Sequence, residues 1–178
     1  MKKDILIIFC VVLVLAVLIM GTDFQSVDEY YLMHLEDITP NSETVTLSIR
    51  CDSVLTHMDK LDASLHDYIP SDGVILQPTQ YVLRPGDTAF DVLHRAVRSR
   101  KIQFEYQGAD QNLLGSVYVQ GINYLYEFSC GPDSGWIYLV NGEFPSRGCA
   151  DYALQDGDTV EWIYSCENTQ YPQGGDGT

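Results

Sequence analysis

The chain has 178 residues, 46% of them hydrophobic, and a formal net charge of −15. This length suits one domain of ordinary size with additional terminal segments. The negative charge repels phosphate groups, so nucleic acids and anionic lipid surfaces are excluded as favoured partners.

The first 21 residues differ in kind from the rest of the chain. Lys2 and Lys3 precede Ile5–Met20, a run without a charged side chain. As a helix this run covers about 24 Å, slightly less than the ~30 Å hydrocarbon core of a bilayer. Because Ile19-Met20-Gly21 is a poor small-x-small cleavage site, we favour a signal-anchor helix at 1–21 over a cleaved signal peptide.

The charge flanking this run also predicts the location of the rest of the chain. By the positive-inside rule, the residues after 21 lie outside the cytoplasm. The protein is then a single-pass membrane protein or, if the segment is cleaved, a secreted one. Residues 22–42 are polar and acidic and are interpreted as a juxtamembrane spacer.

Five cysteines divide between the two parts of the chain. Cys10 lies in the apolar run, and the other four are Cys51, Cys130, Cys149 and Cys166. An even number outside the cytoplasm favours two disulfides, with free buried thiols as the alternative, and the spacing leaves all three pairings open. No CxxC pair occurs and the four histidines are scattered, so a metal site is disfavoured.

The first predicted elements are a strand, a helical stretch and an edge strand. Glu43–Arg50 alternates between apolar and polar residues, which is typical of a half-buried strand. Asp52–Tyr68 carries apolar residues at near-helical spacing. Val74–Leu83 is extended but contains Pro78, which favours an edge strand.

The strongest helix signal follows the turn Arg84–Asp87. Asp87 or Thr88 is predicted to cap this helix, with Asp91 completing a capping box. The apolar stripe is predicted at Phe90, Leu93 and Val97, with Ala89 and Ala96. Arg95, Arg98, Arg100 and Lys101 are assigned to a solvated face and to the helix C-terminus.

Five further strands are predicted at 102–106, 116–122, 124–128, 135–140 and 159–164. Asn141-Gly142 is the strongest hairpin signal in the chain, because a two-residue primed turn needs positive φ at both positions. One amphipathic helix against these strands predicts an α+β domain over 43–166. The element order suggests a β-grasp-like mixed sheet packed by one main helix and preceded by the N-terminal membrane-spanning helix. Residues 167–178 are interpreted as a flexible tail.

The candidate ligand-binding residues lie in and after the strand 135–140. Trp136 and Tyr138 lie on the opposite face of the strand from Ile137 and Leu139, so one of the two pairs points outward. If the aromatic pair is outward, it forms a ledge for stacking a sugar or ring, completed by Asn141 and Phe144; otherwise Trp136 seals the sheet edge and Tyr138 pairs across strands.

Catalysis has little support in the sequence. A triad needs a nucleophile, a base and an orienting carboxylate within reach of one another. The four histidines His34, His57, His66 and His94 have no motif context that places one of them beside a serine or cysteine. We therefore predict no catalytic residues.

Five motifs carry a resemblance to a known family. They are DGVIL (72–76), RPGDTAFDVL (84–93), YVQGINYLYEF (118–128), CGPDSGWIYLVNGEFPSRGC (130–149) and YALQDGDTVEWIYSC (152–166). In this order they resemble the transcobalamin-like C-terminal domain family, a bacterial surface-protein domain of unknown function (4430) common in Gram-positive organisms. The sequence after Cys166, ENTQYPQGG, departs from the glycine- and aspartate-containing continuation often found in relatives.

The resemblance implies a fold similar to a β-grasp and the disulfide pairs Cys130–Cys149 and Cys51–Cys166. In transcobalamin and intrinsic factor the related domain covers one face of cobalamin, while a large helical domain supplies the other. This sequence contains no counterpart of that helical domain. At most half a corrinoid site is therefore expected, and no cofactor is assigned.

Together these observations predict a membrane-tethered extracytoplasmic binding or interaction module without catalytic activity. Its expected partner is a cell-surface protein or a small ligand. Two alternatives stay open: a ligand-capture domain for a corrinoid or glycan that works with a transporter, and a structural component of a cell-surface assembly.

Overall fold

The computed structural model describes residues 38–112 and 115–167. The predicted signal-anchor (1–21), most of the spacer (22–42) and nearly all of the tail (167–178) lie outside the described residues. Within the described ranges, no helix combines the length and apolarity needed to cross a membrane. These residues form a mixed α+β structure in which strands predominate, so the predicted class is confirmed.

In residues 38–112 and 115–167, the strands are interrupted by two α-helices and one 3-10 helix. They are β1 (Thr44–Arg50), α1 (Asp52–Leu55), the 3-10 helix (Ala63–Tyr68), β2 (Val74–Val82), α2 (Ala89–Ser99), β3 (Phe104–Gln107), β4 (Tyr118–Ile122), β5 (Leu125–Tyr126), β6 (Gly135–Val140) and β7 (Thr159–Ser165).

Two sheets organise the strands. The main sheet has the order β2-β1-β7-β6, with β1 and β7 parallel and the outer pairs antiparallel. The small sheet has the order β3-β4-β5 and is antiparallel throughout. Pro78 lies in β2, one of the two edge strands of the main sheet, where a residue without an N–H is tolerated.

Helix α2 buries an apolar stripe in the core that it shares with the main sheet. The buried positions are Ala89, Val92, Leu93, Ala96 and Val97, packed with sheet residues such as Leu47, Ile49, Val160 and Trp162. Leu93 and Val97 lie where the sequence predicted them. The predicted cap is also confirmed, because Thr88 accepts from the Asp91 N–H and the Asp91 carboxylate accepts from the Thr88 N–H.

The assignment of Arg95 to a solvated face is wrong. Its guanidinium donates to both Asp87 carboxylate oxygens, at 2.7 and 2.6 Å, and to the Val82 carbonyl at 3.0 Å. The two side chains are only 14% and 9% exposed. Asp87 also accepts from the Arg84 N–H, so this pair joins the end of β2, the following turn and α2.

The stretch 52–68 is less helical than its apolar spacing predicted. It contains the four-residue α1 and, after a turn, the 3-10 helix. Asp62 caps the 3-10 helix by accepting from the Ser64 N–H at 2.8 Å. This local hydrogen bond of the Asp62 side chain competes with a continuous helix, which explains the break.

The Asn141-Gly142 turn has positive φ at both residues, 53° and 81°, as predicted. The chain does not continue as a long hairpin, because only the bridge between Val140 and Glu143 closes the turn. The partner of β6 is β7, which returns after residues 144–158.

The disulfide pairs implied by the resemblance are wrong. The structure joins Cys130 to Cys166, with their Cα atoms 5.3 Å apart, and leaves Cys51 and Cys149 as buried free thiols. The physical reason is the β6–β7 register, which pairs Gly135 with Ser165 and brings the residues before β6 to the end of β7. Cys149 lies instead in the core beside α2, where its carbonyl accepts from the Phe90 N–H.

We predict that Arg95→Met strongly destabilises the fold, because it leaves the Asp87 carboxylate buried and unpaired. Removing one partner of a buried ion pair costs about 3–5 kcal/mol. Arg98→Met, on the exposed side of the same helix, is the control and should change the free energy of unfolding by no more than about 0.5 kcal/mol. Equal losses in urea unfolding would contradict the role assigned to Arg95.

The buried thiol of Cys51 predicts a loss of stability in alkali. Burial, followed by the Asp52 and Asp72 carboxylates, raises the pKa of Cys51 from 9.0 to about 12. The folded state therefore holds a proton that the unfolded state releases, so stability is full below pH 9 and falls as the pH rises from 9 towards 12. The free energy of unfolding should fall less steeply over this range in Cys51→Ala than in the wild type; parallel curves would refute the assignment.

Candidate functional site

The predicted aromatic ledge on β6 is not formed. Tyr138 is only 6% exposed, stacks on Trp162 with ring centroids 5.5 Å apart, and donates its hydroxyl to the Arg147 carbonyl at 2.6 Å. Trp136 is half-buried, donates its indole N–H to the Leu125 carbonyl at 2.8 Å, and packs edge-on against Tyr164. Trp136 therefore seals the sheet edge and Tyr138 pairs across strands, as in the alternative interpretation of the sequence.

Asn141 and Phe144 also have different environments. The Asn141 amide donates to Asp158 at 2.8 Å and accepts from the Thr159 N–H at 2.9 Å, so it ties its turn to the start of β7. Phe144 is exposed, at 46%. The structure does not bring the four predicted residues to one exposed surface, and binding by any one of them stays a prediction.

A more complete arrangement of polar and aromatic groups lies on the outer face of the small sheet. The strand register places Glu105, Gly121 and Tyr126 in one row across β3, β4 and β5. The neighbouring row, Phe104, Ile122 and Leu125, points to the interior. Because successive residues of a strand point to opposite faces of the sheet, the row of Glu105, Gly121 and Tyr126 points outward.

Gly121 allows the Tyr126 ring to lie across the sheet. A Cβ atom at Gly121 would come within 2.6 and 2.7 Å of the Tyr126 Cδ1 and Cε1 atoms. Without that atom, the ring crosses β4 and its hydroxyl reaches Glu105 on β3. The Tyr126 residue is half-buried.

Hydrogen bonds fix this ring at its hydroxyl. The Tyr126 hydroxyl donates to Glu105 Oε2 at 2.8 Å and accepts from Gln103 Nε2 at 2.7 Å. The hydrogen bond to the Glu105 carboxylate is the main reason that the pKa of Tyr126 is raised.

A second tyrosine–carboxylate pair extends the same region. The Tyr118 hydroxyl donates to Glu127 Oε2. We call the set Glu105, Tyr118, Tyr126 and Glu127 the tyrosine face. Its hydroxyl and carboxylate groups are oriented by one another, so it presents fixed acceptors beside an aromatic surface.

The β4–β5 turn borders the tyrosine face. The Tyr124 N–H donates to Gln103 Oε1 at 2.7 Å, so one glutamine side chain connects Tyr124 with Tyr126. Tyr124 is 44% exposed, and its ring lies 4.4 Å from that of Tyr68, centroid to centroid.

The interior face of β3 packs on α2 through four rings. Phe90 and His94 stack in parallel, with centroids 5.6 Å apart, and both lie against Phe104 and Tyr106. Burial, followed by the positive charge of Arg98, lowers the pKa of His94. This cluster supports the small sheet from behind.

His57 and His66 contact backbone carbonyls, and His57 Nε2 also lies 3.5 Å from Glu167 Oε1. His57 Nδ1 lies 2.8 Å from the Ser53 carbonyl and 3.1 Å from Thr56 Oγ1, but that hydroxyl donates to the same Ser53 carbonyl. His66 Nε2 lies 3.3 Å from the Leu61 carbonyl. Within the part of the chain that the structure describes, no three His, Cys, Asp or Glu side chains gather as a metal site would require.

A shallow cavity of about 380 Å³ lies beside the disulfide. Its lining residues are Lys60, Cys130, Gly131, Pro132, Asp133, Cys166 and Glu167. Charged groups of both signs line it, and its walls offer no aromatic ring for stacking. The tyrosine face is the better candidate, because its aromatic and polar groups are oriented together.

The tyrosine face was not predicted from the sequence, because the facing of β4 depends on a bulge. The register places Glu105 opposite Gly121 and Tyr106 opposite Val119, so Gln120 is an extra residue that shifts the facing of β4. Such a bulge cannot be placed from alternation alone. Asn123, between two predicted strands, was the visible sign of a tight turn.

The comparisons with known proteins agree with the motifs. Residues 86–165 match the family model described as Domain of unknown function (DUF4430), which confirms the predicted resemblance over this segment. No curated protein matches the chain.

Solved structures that are similar to this chain at low identity include the following two. Haptocorrin in complex with Cbi is 16% identical, with a TM-score of 0.48 over 72% of this chain and 26% of the haptocorrin chain. A candidate metal-binding protein from Ruminococcus gnavus ATCC 29149 is 10% identical, with a TM-score of 0.37 over 69% of this chain and 96% of that chain. This chain therefore spans about a quarter of the length of haptocorrin.

We predict that Gly121→Ala displaces the Tyr126 ring, because the added methyl group would occupy the position of the ring edge. Forcing a side chain out of a close-packed position costs about 1–3 kcal/mol. Urea unfolding measures this cost, and the phenol titration of Tyr126, followed by NMR, should move towards its ordinary pKa as the bond to Glu105 is lost. A wild-type titration in the variant would contradict the packing described.

Proposed function

We propose that this protein is an extracytoplasmic binding module without catalytic activity, held at the membrane by its N-terminal apolar helix, and that the tyrosine face binds a carbohydrate. The β-grasp-like classification of the domain is part of the same proposal. The observation that carries it is the Tyr126 ring, laid over Gly121 and fixed between Glu105 and Gln103.

The chemistry of the face suits a sugar ring. A pyranose has an apolar face that packs on an aromatic ring and hydroxyl groups that need fixed donors and acceptors. Glu105 and Glu127 supply acceptors next to the Tyr126 ring, and Gln103 supplies an amide. Because these groups are already hydrogen-bonded in place, little side-chain entropy is lost when a ligand binds.

The negative charge of the protein restricts the class of sugar that it can bind. The chain carries a formal net charge of −15, and both ionisable acceptors of the tyrosine face are carboxylates. Carboxylated or phosphorylated glycans are repelled by this field. The proposal therefore favours neutral or N-acetylated glycans, such as those of a cell surface, over acidic ones.

We predict that the full chain in detergent micelles binds members of a panel of neutral and N-acetylated oligosaccharides of one to six rings. Tyr126→Ala removes the stacking surface and one hydrogen-bonding hydroxyl, so the affinity should fall roughly tenfold or more. Isothermal titration calorimetry on the best-binding oligosaccharide gives this ratio. Phe144→Ala, an exposed aromatic on the Asn141-Gly142 side of the molecule, is the matched control and should bind like the wild type.

Three results would count against this function. They are a wild-type protein that binds no oligosaccharide of the panel, a Tyr126→Ala variant that binds normally, and a loss of binding in Phe144→Ala. Cobalamin is included in the panel, because the family resemblance implies half a corrinoid site. Binding of cobalamin in place of the glycans would favour the ligand-capture alternative.

A further inference from the structure

Among the described residues, two tight turns begin with asparagine and differ in the second residue. Asn141 and Gly142 have φ angles of 53° and 81°, and Asn123 and Tyr124 have φ angles of 54° and 65°. Glycine adopts this left-handed conformation without steric cost, whereas a residue with a Cβ atom, and a bulky one above all, is strained there. Tyr124 thus occupies a position that favours glycine.

Burial does not explain the tyrosine at this position. Tyr124 is 44% exposed, so its ring gains little from the core. Phe128, four residues later, combines φ of 65° with 62% exposure. Two exposed aromatic residues in strained conformations within five positions are the pattern expected where a structure presents side chains for recognition.

Surrounding hydrogen bonds hold the strained turn in place. The Asn123 N–H donates to the Gln103 carbonyl at 2.8 Å and the Tyr124 N–H to Gln103 Oε1 at 2.7 Å. The Asn123 side chain donates to the Tyr68 carbonyl at 2.8 Å. These bonds over-determine the backbone and bring the Tyr68 and Tyr124 rings together.

We propose that Tyr124, with Tyr68, is a second ring-binding platform beside Tyr126, and that the ligand is therefore a chain of at least two sugar rings. This inference rests on the proposed carbohydrate function. Tyr124 and Tyr126 are two residues apart, which places their Cα atoms within about 7 Å of each other. Gln103 binds both residues, so the two platforms are held in a fixed relation.

The recognition role is tested by binding. Tyr124→Gly in the full chain should lower the affinity for the best-binding oligosaccharide of two or more rings roughly 3- to 10-fold, the value of one aromatic contact. The affinity for the corresponding single-ring sugar should change by less than a factor of two. Unchanged affinity for the longer probe would overturn the second platform.

The strain is tested by thermal unfolding, without any ligand. Because Tyr124→Gly also removes the contact with Tyr68, the comparison is made between Tyr68→Ala and Tyr68→Ala/Tyr124→Gly. The double variant should have the higher Tm, by about 2–6 °C. An equal or lower Tm would overturn the claim that glycine is the more stable residue at 124.

Gly142→Ala is the matched control for strain. A Cβ atom at Gly142 would have no atom within 4 Å, so the only penalty is its φ of 81°. Its Tm should fall by a similar amount, about 2–6 °C, and its affinity for the oligosaccharide should stay at the wild-type value. If this variant had the Tm of the wild type, a Cβ atom at positive φ would not destabilise the fold, and the explanation by backbone strain would be wrong.

The two proposals fail in different ways. If the wild type binds no glycan, the proposed function and the second platform both fail, while the Tm comparison still decides whether position 124 is strained. If the wild type and Tyr124→Gly bind equally but Tyr126→Ala does not bind, the carbohydrate function stands and the second platform fails.

Discussion

The paired hydrogen bonds between Arg95 and Asp87 determine how α2 sits on the rest of the fold. They join the end of β2, the turn before α2 and the helix itself within a nearly solvent-free site. A guanidinium and a carboxylate match geometrically, so this pair fixes orientation as well as distance. Once α2 is fixed, the rings of Phe90 and His94 define the surface on which the small sheet packs.

The outer side of the small sheet follows from that packing. With Phe104 and Tyr106 turned towards α2, the intervening Glu105 points outward and meets Tyr126 across Gly121. The main core therefore supplies a rigid support, and the exposed face consists of side chains that bind one another. Such an arrangement is suited to recognition, because few groups must be ordered when a ligand arrives.

Local signals in the sequence predicted a large part of the fold. The features that were not predicted depend on contacts between residues that are distant in the sequence. The capping box of Thr88 and Asp91 and the alternation in β1 depend on neighbouring residues, so both could be predicted. The Arg95 pair and the Cys130–Cys166 bond depend on which strands become neighbours, and no short pattern reports that. The candidate site was misplaced for a related reason: Tyr138 faces the core and the bulge in β4 reverses the expected facing, so alternation predicted neither surface.

An NMR titration would locate the ligand on the surface of the protein. The full chain, labelled with ¹⁵N in detergent micelles, is titrated with the oligosaccharide that binds best. We expect the backbone amide shifts to concentrate at Gln103, Gly121, Tyr124 and Tyr126, with little change at Trp136, Asn141 and Phe144. Shifts concentrated on the β6 strand and its turn, or on the cavity beside the Cys130–Cys166 disulfide, would contradict it.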